Sequence, residues 1–156
     1  MSIDISNESG IEVDNAALVR LATFALDQLR IHPLAELSIL LVDEGTMTAY
    51  HEKYLGEPGP TDVLSFPMDE LRPPTDGEEP PLGLLGDIVL CPEVTARQAG
   101  EHRRATGEEA EYLLVHGLLH LLGHDHAEPE EQAEMFGLTD KIISAWAMQR
   151  PDRSRG

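Results

Sequence analysis

The sequence predicts an α+β domain, because strand and helix patterns alternate through the first part of the chain and a run of helices follows. The chain has 156 residues, of which 41% are hydrophobic and 26% are charged, as in ordinary globular domains. A chain of that length can bury one sizeable core. We therefore expect a single domain over residues 1–150 and a disordered tail over residues 151–156.

Four segments have strand patterns. Residues 2–6 alternate polar with apolar side chains, and residues 37–42 form an apolar run that suits a central strand. Two more predicted strands, residues 62–66 and 86–91, stand on either side of an acidic, proline-containing loop at residues 68–81. We expect these last two strands to pair as a hairpin.

Five segments have helix patterns, and capping residues or prolines mark their starts. Asp14 or Asn15 is suited to cap the first helix, which Pro33 is expected to end. The other predicted starts are Asp43, Pro92, a capping box of Thr106 with Glu109, and Pro129. The first, second and last helices are expected to reach about Arg30, Leu55 and Met148.

The charge of the chain limits its partners. The sequence holds 29 acidic and 11 basic residues, and the resulting net charge of −18 repels nucleic-acid phosphates. We expect no DNA binding, and RNA would need a local basic strip or a partner protein to reach this chain. An acidic surface also suits basic partner proteins.

Three features predict a cytoplasmic protein. The opening residues, MSIDISNESG, lack the basic and apolar regions of a secretory signal. No apolar run reaches the length of about 18 residues that a membrane span needs, so we expect no membrane partner. Cys91 is the only cysteine, which excludes an intramolecular disulfide and suits a reducing compartment.

The segment HGLLHLLGHDH, residues 116–126, carries the candidate metal site. We expect its helix, residues 109–122, to be buried, because it is apolar nearly all the way round. His116 and His120 stand four residues apart and therefore lie on one face of that helix. This is the spacing of a two-histidine zinc clamp.

Helix geometry selects the third ligand. Eight residues of helix would separate the Cα atoms of His116 and His124 by about 12 Å, too far for one ion to bridge. Gly123 can take the left-handed conformation that ends a helix, which would swing His126 onto the face of His116 and His120. We predict one Zn²⁺ per chain on His116, His120 and His126, with a water in an open fourth position, because structural zinc sites are rich in cysteine. The plainer alternatives are separately bonded histidines, or a metal that only stabilises the fold.

The residue after the first histidine bears on the reaction. The spacing H-x-x-x-H-x-x-G-x-x-H also occurs in metzincin proteases, where a glutamate after the first histidine is the general base. Here that residue is Gly117, so peptidase chemistry is disfavoured. The catalytic groups are therefore unknown, and proton transfers would fall to the metal-held water, to bulk water or to a group such as Asp125.

The motifs together resemble one known family. HGLLHLLGHDH is similar to the histidine signature of the YbeY family, bacterial metal-dependent endoribonucleases, and PTDVLSFP (60–67) and LLGDIVLCPE (84–93) are similar to two further segments. The resemblance covers about residues 36–140. It implies a zincin-like α+β fold, in which a small mixed four-stranded sheet packs on a buried metal-binding helix. It also implies zinc on the three histidines.

The function implied by this resemblance is single-strand-specific cleavage in 16S rRNA 3′-end maturation and ribosome quality control. The implied partners are ribosomal RNA and the small ribosomal subunit or its proteins. Two alternatives stay open. One is a non-enzymatic ribosome assembly factor with a stabilising zinc, and the other is a zinc hydrolase of another substrate class.

The resemblance also implies residues around the metal. Asp62 and Ser65 would line the groove that faces it, with Asp87 on the adjoining strand, although turn capping and strand-end hydrogen bonding would explain these residues equally well. Many family members carry an arginine shortly before P-T-D-V-L-S-F. Leu55 stands at that position here, with Lys53 nearby.

Four basic residues are candidates for RNA binding: Lys53, Arg97, Arg103 and Arg104. Lys53 precedes the DVLSF strand, and the three arginines precede the histidine helix. They would form a short positive strip near the metal. The alternative is that all four are solvated charges in weak surface pairs.

Overall fold

The computed structural model describes residues 2–32, 34–69, 74–79, 82–124 and 128–149. Within these residues the chain forms four strands and five helices, which confirms the α+β prediction. The strands are β1 (Ser2–Asn7), β2 (Glu36–Leu41), β3 (Val63–Pro67) and β4 (Leu84–Leu90). The helices are α1 (Asn15–Gln28), α2 (Glu44–Leu55), α3 (Pro92–Glu101), α4 (Thr106–Leu121) and α5 (Pro129–Gln149).

The strands form one mixed sheet in the order β1-β2-β4-β3. β1, β2 and β4 are parallel, and β3 runs antiparallel to β4, with Val63 opposite Leu90 and Pro67 opposite Gly86. The predicted hairpin is therefore confirmed. β3 stands at the edge of the sheet, and its second side is not paired with any strand of the described chain.

The main core lies between the sheet and helices α1, α4 and α5. Its largest fully buried side chains are Leu21, Leu26, Ile39, Leu41, Leu85, Ile88, Leu114, Leu118, Leu119, Leu121 and Met135. α4 is the central element, because it contacts β3, β4 and three of the other helices. No helix in the described ranges combines the length and apolar character that crossing a membrane requires.

A second, smaller apolar cluster lies beyond the other face of the sheet. It joins α2 and α3 to the strands through Val42, Met47, Leu64, Val89, Cys91 and Val94. Burial raises the pKa of the Cys91 thiol, so this cysteine is a core residue with little thiolate character.

Most predicted helix starts are confirmed. Asp14 caps α1 by accepting from the Ala17 N–H, Asp43 caps α2 by accepting from the Thr46 N–H, and Pro92 opens α3. α1 ends at Gln28, several residues before Pro33, because Arg30 takes a left-handed φ of 58°.

The predicted capping box of α4 is wrong by one residue. The N-cap is Ala105, which has no side-chain oxygen, and Thr106 is already helical. Glu108 supplies half of a box by accepting from the Ala105 N–H at 3.2 Å. Glu109 instead points into the protein and is only 1% exposed.

Two glycines allow close backbone contacts. A Cβ on Gly117 would lie 3.1 Å from Val63 Cγ2 and 3.2 Å from Ile88 Cγ2, so the side chains of β3 and β4 pack directly on the backbone of α4 at this point. Gly86 has a φ of +135°, and a Cβ there would lie 2.2 Å from the Phe66 carbonyl oxygen. A bulge at this point of β4 places Leu85 in the same core as Ile88.

Gly86→Ala should lower the free energy of unfolding by about 2 kcal/mol or more, because the β3 backbone must move to admit the methyl group. Gly137 lies within α5 with nothing within 4 Å of its would-be Cβ. Gly137→Ala is therefore the matched control, and it should raise stability by about 0.5–1 kcal/mol. Equilibrium urea unfolding measures both changes. A Gly86→Ala variant as stable as the parent would contradict the close contact.

Candidate functional site

An open groove of about 770 Å³ runs along the unpaired edge of β3. On one side lies the C-terminal turn of α2, and on the other lies α4. The lining residues are Tyr54, Leu55, Thr61, Asp62, Val63, Leu64, Ser65, Phe66, His116 and His120. Two of the three sequence motifs, the P-T-D-V-L-S-F segment and the histidine helix, therefore meet in this histidine groove.

His116 and His120 lie together on the α4 wall of the groove. Their ring centroids are 4.9 Å apart and the ring planes are at 85°, as side chains one helical turn apart allow. Gly123 has a φ of 94°, so the predicted left-handed end of this helix is confirmed. His126 and Asp125 lie outside the described residues. Among the residues that are described, no group of three His, Cys, Asp or Glu side chains is suited to hold a metal ion.

Aromatic rings surround His116. Tyr112, one turn earlier on α4, has its ring centroid 6.1 Å away at 15°, and Phe136 of α5 has its centroid 5.8 Å away at 20°. Both rings are nearly parallel to the imidazole, so they restrict rotation of the imidazole out of its present plane. The contact between Tyr112 and His116 could have been predicted from the sequence, because the two residues are four positions apart on one helix. The contact with Phe136 depends on how α5 packs, which the sequence pattern does not specify.

The buried carboxylate of Glu109 contacts two residues, one of which lies beside the Tyr112 ring. Glu109 binds the Arg104 guanidinium at 3.0 Å and His102 Nδ1 at 2.6 Å. Arg104 in turn lies 4.8 Å from the centroid of the Tyr112 ring. Burial raises the pKa of the Tyr112 phenol, as does the negative charge of Asp140, while Arg104 opposes the change. Glu109 thus holds Arg104 beside the Tyr112 ring, which in turn packs on His116.

Ser65 and Asp62 line the histidine groove together with His116 and His120. Ser65 Oγ donates to the carbonyl oxygen of Gly117 at 2.9 Å and so ties β3 to α4. Asp62 Oδ1 accepts from the backbone N–H of Val63 at 2.7 Å and from Thr61 Oγ1 at 3.3 Å. The Asp62 contacts are strand-end hydrogen bonds of the kind that the alternative interpretation predicted, whereas the Ser65 bond links the middle of β3 to α4.

The turn before β3 is fastened by a residue that the sequence patterns did not single out. His51 is 8% exposed, and its Nδ1 lies 2.9 Å from the Gly59 carbonyl oxygen, to which it must donate because a carbonyl only accepts. His51 Nε2 lies 3.2 Å from the Glu57 carboxylate. These bonds fix the segment that leads from Leu55 to Thr61, and with it the outer wall of the groove.

Asp87 does not join the histidine groove. Ile88 contacts α4 at Gly117, so Asp87, the preceding residue, faces the opposite side of the sheet. There it lies beside Ser38 and lines a second groove of about 490 Å³ with Asp4. The bulge in β4 shifts the alternation by which successive side chains face opposite sides of the sheet. Leu85 is buried on the α4 side, and without the bulge Asp87 would share that side.

The four candidate RNA-binding residues make different contacts. Lys53 Nζ lies 5.2 Å from the ring centroid of Tyr54, a residue of the histidine groove. Arg97 pairs with Glu44, and Arg104 pairs with Glu109. Arg103 is exposed and has a left-handed φ of 55°.

The departure from the family pattern also lies in the groove. Leu55, which stands where many family members carry arginine, is 56% exposed and forms part of the rim. Among the four candidates, Lys53 is the one whose contact with Tyr54 places it at that rim. The adjacent rim position is occupied by the aliphatic side chain of Leu55.

Comparison with known proteins gives a consistent result. The family model described as Endoribonuclease YbeY matches residues 3–147. An endoribonuclease YbeY of Cutibacterium acnes is 72% identical over 92% of this chain and 93% of its own length. The endoribonucleases YbeY of Clavibacter sepedonicus and Thermobifida fusca are 58% and 53% identical, cover 98% and 99% of this chain, and are matched over 100% of their lengths.

A solved structure shares the fold. The solution structure of a Thermotoga maritima protein superposes with a TM-score of 0.60 at 24% identity and covers 97% of both chains. The match of the family model over nearly the whole chain, together with relatives above half identity, shows that the chain belongs to the endoribonuclease YbeY family.

Proposed function

We propose that this chain is a metal-dependent endoribonuclease that cleaves single-stranded RNA in the histidine groove. The observation that carries the proposal is the pair of imidazoles, His116 and His120, on the wall of a groove that stays open along β3. A groove of about 770 Å³ has room for a nucleotide, and the relatives named above support cleavage of RNA as the reaction.

The proposed metal is zinc, one ion per chain, held by His116, His120 and His126. The two described imidazoles fit such an ion, because they share one helix face and neutral imidazole is a common zinc ligand. The left-handed Gly123 supports the return of the chain toward them. When bound, the ion would supply Lewis-acid stabilisation of a phosphoryl oxygen and a nucleophile at neutral pH.

The chain's own residues would position the reacting groups. Tyr112 and Phe136 hold the His116 ring plane, so little freedom is lost when that imidazole binds. Ser65 fixes the distance between β3 and α4. Gly117 offers no carboxylate, and the side chains of Val63, Ile88 and Ser65 pack closely around it, so we propose that proton transfer involves water or Asp125.

We further propose that the substrate is ribosomal RNA and that the protein acts in 16S 3′-end maturation and in quality control of the small subunit. The proposed location is the cytoplasm, and the proposed fold is zincin-like. The net charge of −18 suits basic ribosomal proteins as partners. Asp4 and Asp87 in the second groove favour the same partners, and so they also support the alternative of an assembly factor with a stabilising zinc.

Elemental analysis should find about one zinc per purified chain. His116→Ala, His120→Ala and His126→Ala should each lose most of it, because two remaining imidazoles bind weakly. His124→Ala is the matched control and should keep its metal. Loss of zinc from His124→Ala with retention by His126→Ala would contradict the ligand set.

Chelation should abolish cleavage of single-stranded precursor rRNA, and added zinc should restore it. His116→Ala, purified in the same way, controls for contaminating nucleases and should be inactive. The same preparations should leave casein intact, because position 117 supplies no general base. Robust proteolysis by the zinc-loaded protein would overturn the assignment.

Lys53→Ala should weaken RNA binding severalfold. It should also reduce the slope of log Kd against log salt concentration by about one, the change expected when one phosphate contact is lost. Arg97→Ala removes the same charge from a residue already paired with Glu44, and should change Kd by less than about twofold. Fluorescence anisotropy with a labelled oligonucleotide measures both. If neither variant differs from the parent, neither charge contributes to RNA binding and the positive strip is excluded; if both weaken binding equally, the longer basic strip is real.

A further inference from the structure

We propose that Tyr54 is the base-stacking residue of the histidine groove, and that RNA is bound there mainly through an unpaired base rather than through its phosphates. This inference rests on the proposed function, since it names how that groove would bind its RNA. Tyr54 lies in the last turn of α2, and its side of the groove faces His116 and His120.

The exposure of Tyr54 is the first observation. Its side chain is 54% exposed although it is large and aromatic, and it lines both the histidine groove and the second groove on the sheet face. The ring therefore stands where the two grooves meet, at the edge of β3. A base that stacks on it would leave its own ribose and phosphate near the histidines.

The ring is also held in place. Phe66 of β3 packs against it at 5.2 Å between centroids and 66° between planes, and Tyr50, one turn earlier, lies 6.1 Å away. These neighbours anchor one part of the ring while more than half of the residue's surface stays accessible. Binding then costs little side-chain entropy, because the ring is already ordered.

The charge distribution favours stacking over phosphate binding. The chain carries a net charge of −18, and the rim position of Leu55 contributes no cation. Aromatic stacking does not depend on charge, and it tolerates any base because every base has a π face. Lys53 Nζ, 5.2 Å from the Tyr54 centroid, sits on a flexible stem and can move to the phosphate of the stacked nucleotide.

A selectivity for single strands follows from this geometry. A base inside a duplex is covered on both faces by its neighbours, so it can reach Tyr54 only after unstacking. An unpaired base can stack at once. The groove would therefore select RNA by the accessibility of a base, with little preference for which base it is.

The test combines variants of the protein with variants of the RNA. Tyr54→Leu keeps an apolar side chain but removes the π face, and Tyr54→Phe keeps the face and loses only the hydroxyl. With a single-stranded 2′-O-methyl oligonucleotide, whose integrity is checked after each titration, Tyr54→Leu should raise Kd about 5- to 150-fold. Tyr54→Phe should stay within about twofold, and neither variant should flatten the salt dependence.

An abasic scan separates stacking from a structural role. In the parent, one abasic position in the oligonucleotide should weaken binding by the same factor as Tyr54→Leu. The same abasic position should cost nothing further in the variant, because both changes remove one contact. Equal costs of every abasic position in parent and variant would overturn the proposal, as would parent-like binding by Tyr54→Leu. If the parent itself neither binds nor cleaves RNA, the proposed function fails along with it.

Discussion

The packing of α4 directly on β3 and β4 is the constraint from which the site follows. At Gly117 the helix has no side chain, so Val63, Ile88 and Ser65 of the sheet pack on the helix backbone, and Ser65 donates a hydrogen bond to the Gly117 carbonyl oxygen. Because of this contact, the residues one step before and three steps after Gly117 come to the edge of β3. His116 and His120 therefore face a groove, although the helix that carries them is largely buried.

The same contact bears on the chemistry. Metzincins place a glutamate where this chain has Gly117, and here the space is already filled by Val63, Ile88 and Ser65. A longer side chain at that position would require Val63, Ile88 and Ser65 to shift. The close packing of α4 on the sheet thus favours glycine at position 117, where metzincins carry the general base.

Ion pairs bear on which of the candidate RNA-binding residues can contact a phosphate. Arg97 and Arg104 form ion pairs with Glu44 and Glu109, so these carboxylates compete with RNA phosphates for both arginines. Arg104 and the buried Glu109 instead support Tyr112, which packs beside His116. The net charge of −18 disfavours binding of RNA through its phosphates, whereas stacking on exposed aromatic surface at the groove rim, such as Tyr54, does not depend on charge.

Local sequence patterns predicted much of this structure, and long-range packing accounts for the rest. Alternation, caps and prolines located the strands and most helices, and the spacing of His116 and His120 predicted their shared face. The face of Asp87 was not predictable, because a bulge beside Gly86 changes the alternation of β4. Phe136 and Glu109 act through contacts between helices, and no local pattern specifies such partners.

The histidine groove as the RNA site can be tested by NMR of the imidazole signals. Uncleavable single-stranded RNA is titrated into protein labelled at its histidines. Our account predicts progressive shifts of the His116 and His120 signals, while His102, paired with Glu109, and His32 stay unchanged. Saturable RNA binding that shifts His102 or His32 and leaves His116 and His120 unmoved would contradict it.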